Sequence, residues 1–180
     1  IGLVATANRK STTFFEAHLG AGDEIADYSY SYDATGAAVK SVGVMFYAGA
    51  NRASAAASGD CLESTDNHKT TAIGLVATAN RKSTTFFEAH LGAGDEIADY
   101  SYTYGTGGII GKSSTIFYYD DATTATTEYL RANNASVTSE GAMTRSDTYK
   151  YDTSFVTTVT AGAAPTGTEY VKLQSRTYHI

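Results

Sequence analysis

Residues 73–102 repeat residues 1–30 letter for letter, IGLVATANRKSTTFFEAHLGAGDEIADYSY, 72 positions further on. A chain carrying such a duplication must fold the same local sequence twice, so the repeating unit sets the architecture. Similarity outlasts identity. YSYSYDATGAAVKSVGVMFYA at 28–48 aligns with YSYTYGTGGIIGKSSTIFYYD at 100–120, with Lys40 on Lys112 and Ser41 on Ser113. A degenerate third copy is read from Thr153, where Glu169–Tyr170 matches Asp27–Tyr28. The organisation is therefore unit one at 1–72, unit two at 73–144 and a partial third unit at 145–180. The chain opens on Ile1 with no signal-like segment and reads as a stretch of a longer array. Packing alone does not keep the surface residues Arg9, Lys10, Asp23 and Glu24 unchanged at Arg81, Lys82, Asp95 and Glu96. Recent tandem duplication, a shared neighbour or deliberate engineering each would.

Within a unit the pattern is that of strands. Ser11–Leu19 is β-branched and aromatic, and Gly20–Glu24 forms a glycine turn. Asp27–Tyr32 alternates strictly, placing Tyr28, Tyr30 and Tyr32 on one face and Asp27, Ser29 and Ser31 on the other. Asp33–Gly36 is a hairpin connection and Val39–Tyr47 the return strand. Unit two repeats this as Asp99–Tyr104, a turn at Gly105–Gly108 and a return strand at Ile109–Tyr119. Ala48–Thr71 reads as a long loop or a short helix at Asn51–Ser58. Asp121–Thr144 reads as a Thr-rich strand, the run E-Y-L-R-A, then loop. Further strands are read at Thr148–Tyr151, Phe155–Thr160 and Thr168–Ile180. The last alternates, with Val171 and Leu173 on one side and Tyr170, Lys172 and Gln174 on the other. The expected fold is all-β: tandem antiparallel β-hairpin units forming a sandwich or a short stacked array, since one hairpin cannot bury its face alone.

The bulk numbers narrow the function. Fourteen tyrosines, a single proline and no tryptophan suit half-exposed pleated surfaces. A net charge of −6 without a basic cluster speaks against nucleic acid as partner and against a polybasic membrane contact. No run approaches the ~20 apolar residues of a membrane-spanning helix. Cys61 is the only cysteine, which rules out an intrachain disulfide.

Three motifs invite chemistry. Glu16 and His18, repeated as Glu88 and His90, share a strand face and are of ligand or acid–base type, but no third group is placed by spacing. Gly20–Asp27 carries carboxylates without the ligand spacing of a calcium loop. Gly111-Lys112-Ser113 lacks the first glycine of a phosphate loop, because Thr106 stands there. No cofactor, metal site or catalytic residue is assigned, and the chain reads as a non-enzyme.

Tyr30-Ser-Tyr32-Asp33-Ala-Thr-Gly36 resembles the core of the YD repeat of Rhs-like bacterial surface and toxin-shell proteins. Tyr149-Lys-Tyr151-Asp152 resembles it again, and Tyr102-Thr-Tyr104 does so without the Asp. The Arg-Leu that follows the glycine in that family is replaced here by Ala37-Ala38. The resemblance implies a β-rich strip that curls into a shell or surface structure.

The functional expectation is a structural subunit of an extracellular or cell-surface filament, sheath or layer, self-assembling through β-strand edges with copies of itself. The alternatives are an adhesin module that stacks glycans on tyrosine rings, or a fragment of a toxin shell. The interaction candidates are the ladders Tyr28, Tyr30, Tyr32 and Tyr100, Tyr102, Tyr104, together with Tyr170, Val171 and Leu173 on an unprotected terminal strand.

Overall fold

The computed structural model describes residues 8–121, 128–151 and 170–179. The fold is all-β. The strands are β1 (Ser11–Glu16), β2 (Ile25–Tyr32), β3 (Val39–Tyr47), β4 (Leu62–His68), β5 (Arg81–Glu88), β6 (Ile97–Tyr104), β7 (Gly111–Tyr119), β8 (Leu130–Arg131), β9 (Met143–Tyr151) and β10 (Tyr170–Tyr178). All ten lie in one open antiparallel sheet, in the order β1-β2-β3-β4-β5-β6-β7-β9-β10, with the short β8 also on β7. The hairpin units therefore stand edge to edge in a single sheet, and the joint between units one and two is the β4–β5 ladder.

The duplication is reproduced in the backbone. β2 and β3 recur as β6 and β7 with both bounds displaced by 72 positions. The same bulge interrupts Phe14/Phe15 in β1 and Phe86/Phe87 in β5. The fourth strand then departs from the sequence period. Asp66 in β4 lies opposite Val44, and its structural counterpart Asp147 in β9 lies opposite Ile116. The connection at 120–142 is nine residues longer than that at 48–61, which absorbs the difference.

Register sorts the two faces. Tyr28 and Tyr30 share a face with Phe14, Val42, Val44, Asp66, His68, Thr84, Tyr102, Ser114, Ile116, Asp147 and Tyr149. Part of the core sits here: Val42, Ile116, Ser114 and Asp147 are all fully buried. Segment 69–80 crosses this face, for the Ile73 amide donates to the Tyr30 hydroxyl at 3.2 Å and His68 Nδ1 donates to the Ala77 carbonyl at 3.2 Å. A Cβ on Gly108 would lie 1.7 Å from the Thr78 carbonyl oxygen, so only glycine lets this segment meet the β6–β7 turn.

The opposite face carries rows of small polar residues and, at one end, two apolar clusters, Tyr47 and Met45 with Ala53 and Ala56, and Tyr119 and Phe117 with Ala132 and Val137. One row runs Thr13, Ser29, Gly43, Asn67, Ser83, Thr103, Ser113, and a second runs Thr65, Thr85, Ser101, Thr115, Thr148, Ser175. The Thr115 and Thr148 hydroxyls bond at 2.9 Å across this row, as same-face neighbours on adjacent strands do.

Several readings of the sequence are corrected. β1 ends at Glu16, so His18 lies in the turn and not on the strand. Asn51–Ser58 holds a single 3₁₀ turn, at Ala53–Ala55, after another at Ala48–Ala50, and Leu62–His68 is a strand within what reads as loop. Strict alternation in the last strand is broken by two register shifts, so Leu173 and Arg176 oppose Tyr149 and Asp147 on one face of β9. β10 lies on β9 as β5 lies on β4, the place of a unit's first strand rather than the second strand that the Glu169–Tyr170 match implies. The strand read at Phe155–Thr160 and the Thr-rich one after Asp121 fall largely or wholly outside the described residues.

Candidate functional site

Each tyrosine ladder is locked in place on the sheet by a first strand of identical sequence. Phe14 stacks on Tyr28 at 4.6 Å and 15°, with Tyr30 edge-on to Phe14 at 5.3 Å. The Arg9 guanidinium covers Tyr32 at 3.9 Å. Unit two repeats the set: Phe86 on Tyr100 at 4.7 Å, Tyr102 edge-on to Phe86 at 5.8 Å, and Arg81 over Tyr104 at 4.3 Å. Aromatic pairs and an arginine on a ring face each add to area burial, which makes the ladder a structural element of the sheet. Tyr102 and Tyr104 are buried, whereas Tyr28, Tyr30, Tyr32 and Tyr100 are half-buried. The ring of Phe14 beside them is 37 % exposed. Burial raises the Tyr28 and Tyr100 phenols above the ordinary range, helped at Tyr28 by Tyr30 and at Tyr100 by Asp99.

The repeated Glu–His pair has a structural task. His18 Nε2 donates to the Ala56 carbonyl at 2.9 Å, and His90 Nε2 donates to the Val137 carbonyl at 3.3 Å. The other ring nitrogen faces Glu16 at 3.8 Å or Glu88 at 3.5 Å. The pair thus ties the β1–β2 or β5–β6 turn to the loop after the third strand. Among the described residues no cluster of three or more His, Cys, Asp or Glu is placed to hold a metal ion. Two of the Gly20–Asp27 carboxylates are likewise engaged in the fold: Glu24 accepts the Gly22 amide at 3.0 Å, and Asp27 takes Arg52 at 2.7 Å. Cys61 is half-buried with Sγ 3.7 Å from the Ala89 carbonyl; burial, then Glu96 and Asp60, push its thiol up and away from the reactive thiolate.

At the joint between units a polar chain replaces apolar contact. The Tyr104 hydroxyl donates to Thr84 Oγ1 at 3.2 Å, and Thr84 donates in turn to Asp66 Oδ1. Arg81 Nη1 lies 3.6 Å from the same carboxylate and His68 Nε2 3.8 Å. Glu96 Oε1 accepts the Leu62 amide at 2.7 Å, which fixes the other end of β4. The sequence motifs do not reveal this joint, because β4 has no apolar stripe; its signal is the duplication itself, which leaves the outer edge of β5 needing a partner.

No family model, curated protein or solved structure matches the chain.

The two outer strands differ. Among the described residues, no strand pairs with the outer edge of β1 or of β10. Ser11–Glu16 is short and carries no lysine or proline, and Leu173 on β10 is 44 % exposed. Such edges present unpaired main-chain donors and acceptors to a further strand. Tyr170 pairs with Tyr151 through the backbone, while the side chains of Tyr170 and Val171 lie outside the described residues. No helix among the described residues is long and apolar enough to cross a membrane.

Proposed function

We propose that the chain is a structural module of an extracellular filament, sheath or surface layer, lengthened by adding hairpin units edge to edge. The observation that carries this reading is the β4–β5 ladder. Two units of nearly the same design are joined there by a main-chain ladder within one sheet, and nothing in the joint closes the sheet on itself. A joint of this kind is heterologous, so repetition between chains propagates instead of closing. The bulged strands and the rows of small polar residues suit a strip that curls, in keeping with the YD-like stretches at Tyr30–Gly36 and Tyr149–Asp152. Copies of the same chain are the partner this design calls for.

Negative-stain microscopy and sedimentation velocity test the reading over a concentration series. Polymers that lengthen with concentration are expected. Thr13→Pro should suppress them while leaving the fold intact. The Tyr32 amide donates to the Lys10 carbonyl, so even-numbered residues of β1 face β2 and the Thr13 N–H faces outward. A parent chain that stays monomeric at high concentration overturns the reading.

A further inference from the structure

The outer edge of β1 carries the same residues as the edge of β5 that seats on β4, because 9–16 and 81–88 are identical. The β4–β5 joint is therefore a template for what β1 accepts. In it Ser83 lies opposite Asn67, Thr84 opposite Asp66 and Thr85 opposite Thr65. Transposed to β1, the positions are Ser11, Thr12 and Thr13.

Two of the groups that hold β4, Arg81 and Glu96, have counterparts already set in unit one, Arg9 and Glu24. Arg9 lies over Tyr32 at 3.9 Å and donates to the Gly36 carbonyl at 3.2 Å, as Arg81 lies over Tyr104 and donates to the Gly108 carbonyl at 3.0 Å. Glu24 Oε2 accepts the Gly22 amide at 3.0 Å, as Glu96 Oε2 accepts the Gly94 amide at 2.9 Å. In unit two the second oxygen of that carboxylate receives the β4 main chain. The edge of β1 is thus prepared for an antiparallel strand with a carboxylate facing Thr12 and Arg9.

Among the described residues one other strand is of this kind. β9 takes the place beside β7 that β4 takes beside β3, and Asp147 stands where Asp66 stands. Its outer edge is covered by β10, which occupies the position of a unit's first strand. The β10 ladder has two register shifts against one in β4–β5, and residues 173–179 are exposed throughout. Arg176 lies on Asp147 at 2.7 and 2.8 Å, beside Arg145 at 3.4 Å from β9 itself, and stands in the place from which Arg81 faces Asp66.

We propose that β1 of one copy seats on β9 of a second copy in place of β10, with Thr12 opposite Asp147 and Arg9 beside that carboxylate. This inference rests on the edge-assembly reading and names its joint. β10 then guards the joint instead of forming it, and its displacement starts growth in one direction. Strand exchange of this sort keeps the antiparallel sense of the sheet, because β1 and β10 run the same way on their neighbours.

Two measurements on the full chain test it. In the first, a synthetic peptide of residues 143–151 is added and amide exchange is followed. The outward amides of Ser11 and Thr13 should slow at least tenfold at saturation, and a peptide carrying Asp147→Ala should protect them less. In the second, Thr177→Pro removes an amide that faces β9, given that the His179 amide donates to the Thr144 carbonyl and alternate residues follow. Self-association should strengthen at least tenfold, and Thr13→Pro in the same chain should reverse it. Unchanged exchange in β1 with saturating peptide overturns the inference, as does Thr177→Pro association no stronger than the parent's. Filaments that form with β1 unprotected by peptide would leave edge assembly standing and remove this joint. A monomeric parent whose β1 is protected would do the reverse.

Discussion

Arg131 forks onto Asp99, Nε at 3.0 Å and Nη2 at 2.8 Å to the same oxygen, and Arg52 forks onto Asp27 in the same way at 3.0 and 2.7 Å. The two aspartates are copies; the arginines come from connections of different sequence and length, Arg131 from the short β8 within one of them. Each loop also supplies small residues that pack under the tyrosine ending the third strand: Ala53 and Ala56 under Tyr47, Ala132 and Val137 under Tyr119. What recurs beyond the identical segment is thus a set of contacts: the carboxylate selects an arginine and the tyrosine selects an apolar plug.

Burial separates the two ion pairs. The Asp99 and Arg131 side chains are 2 % and 10 % exposed, against 20 % and 35 % for Asp27 and Arg52. Arg131→Ala leaves a carboxylate stranded in the interior and should cost about 3 kcal/mol. Arg52→Ala leaves a partly hydrated one and should cost about 1 kcal/mol. Urea unfolding of the two variants checks the ratio.

The Tyr119 hydroxyl donates to the Ala98 carbonyl at 2.6 Å, as Tyr47 donates to Ala26 at 2.7 Å. Burial, then the Asp99 carboxylate, pushes Tyr119 up to about 12. A phenol raised in the folded state stabilises the fold below its unfolded value, near pH 10, and that contribution disappears as pH rises through about 12. Ultraviolet titration should show a late-ionising tyrosine that Tyr119→Phe removes. The same substitution should cost about 1 kcal/mol through the lost hydrogen bond.

Asp33 provides a pH test with an internal control. Its carboxylate accepts the Thr35 hydroxyl at 2.7 Å and the Thr35, Ala37 and Ala38 amides. The Thr35 hydroxyl first, then the Ala38, Ala37 and Thr35 amides, hold its pKa down. Stability from a depressed carboxylate is present above its unfolded value and is lost as pH falls through the folded one. The Thr35 and Ala37 amide resonances should therefore shift below about pH 4. Unit two has Gly105 at the matching position, so its turn amides should not follow.

The joint relay gives a comparison between copies. Thr84→Val removes both the donor to Asp66 and the acceptor from Tyr104, and should cost about 2 kcal/mol. Thr12→Val alters the matching residue at the outer edge of the sheet and should cost less than half as much in dilute monomer. Equal losses would show that Thr84 acts through its shape and not through the relay.

The strands that alternate in apolarity were legible: Val39–Tyr47 has those bounds in the structure, and Asp27–Tyr32 lies within Ile25–Tyr32. β4 was not, because on both faces its positions hold polar groups, Ser64, Asp66 and His68 on one and Glu63, Thr65 and Asn67 on the other. Its stability comes from partners far along the chain, Thr84, Arg81 and Asn80, which no local pattern displays. The tyrosines were legible as ladders, but not that the first strand lays a phenylalanine and an arginine across each. The terminal strand was legible by its length, while its bulges and its clamp on Asp147 depend on β9.

Diffraction from aligned polymer tests edge-to-edge growth most directly. If units join as β4 joins β5, strands lie across the long axis and a meridional reflection at about 4.7–4.8 Å is expected. Thr13→Pro should abolish the polymer and the reflection together. Polymers whose strand spacing lies on the equator, or a parent that gives no polymer at any concentration, would contradict assembly through sheet edges.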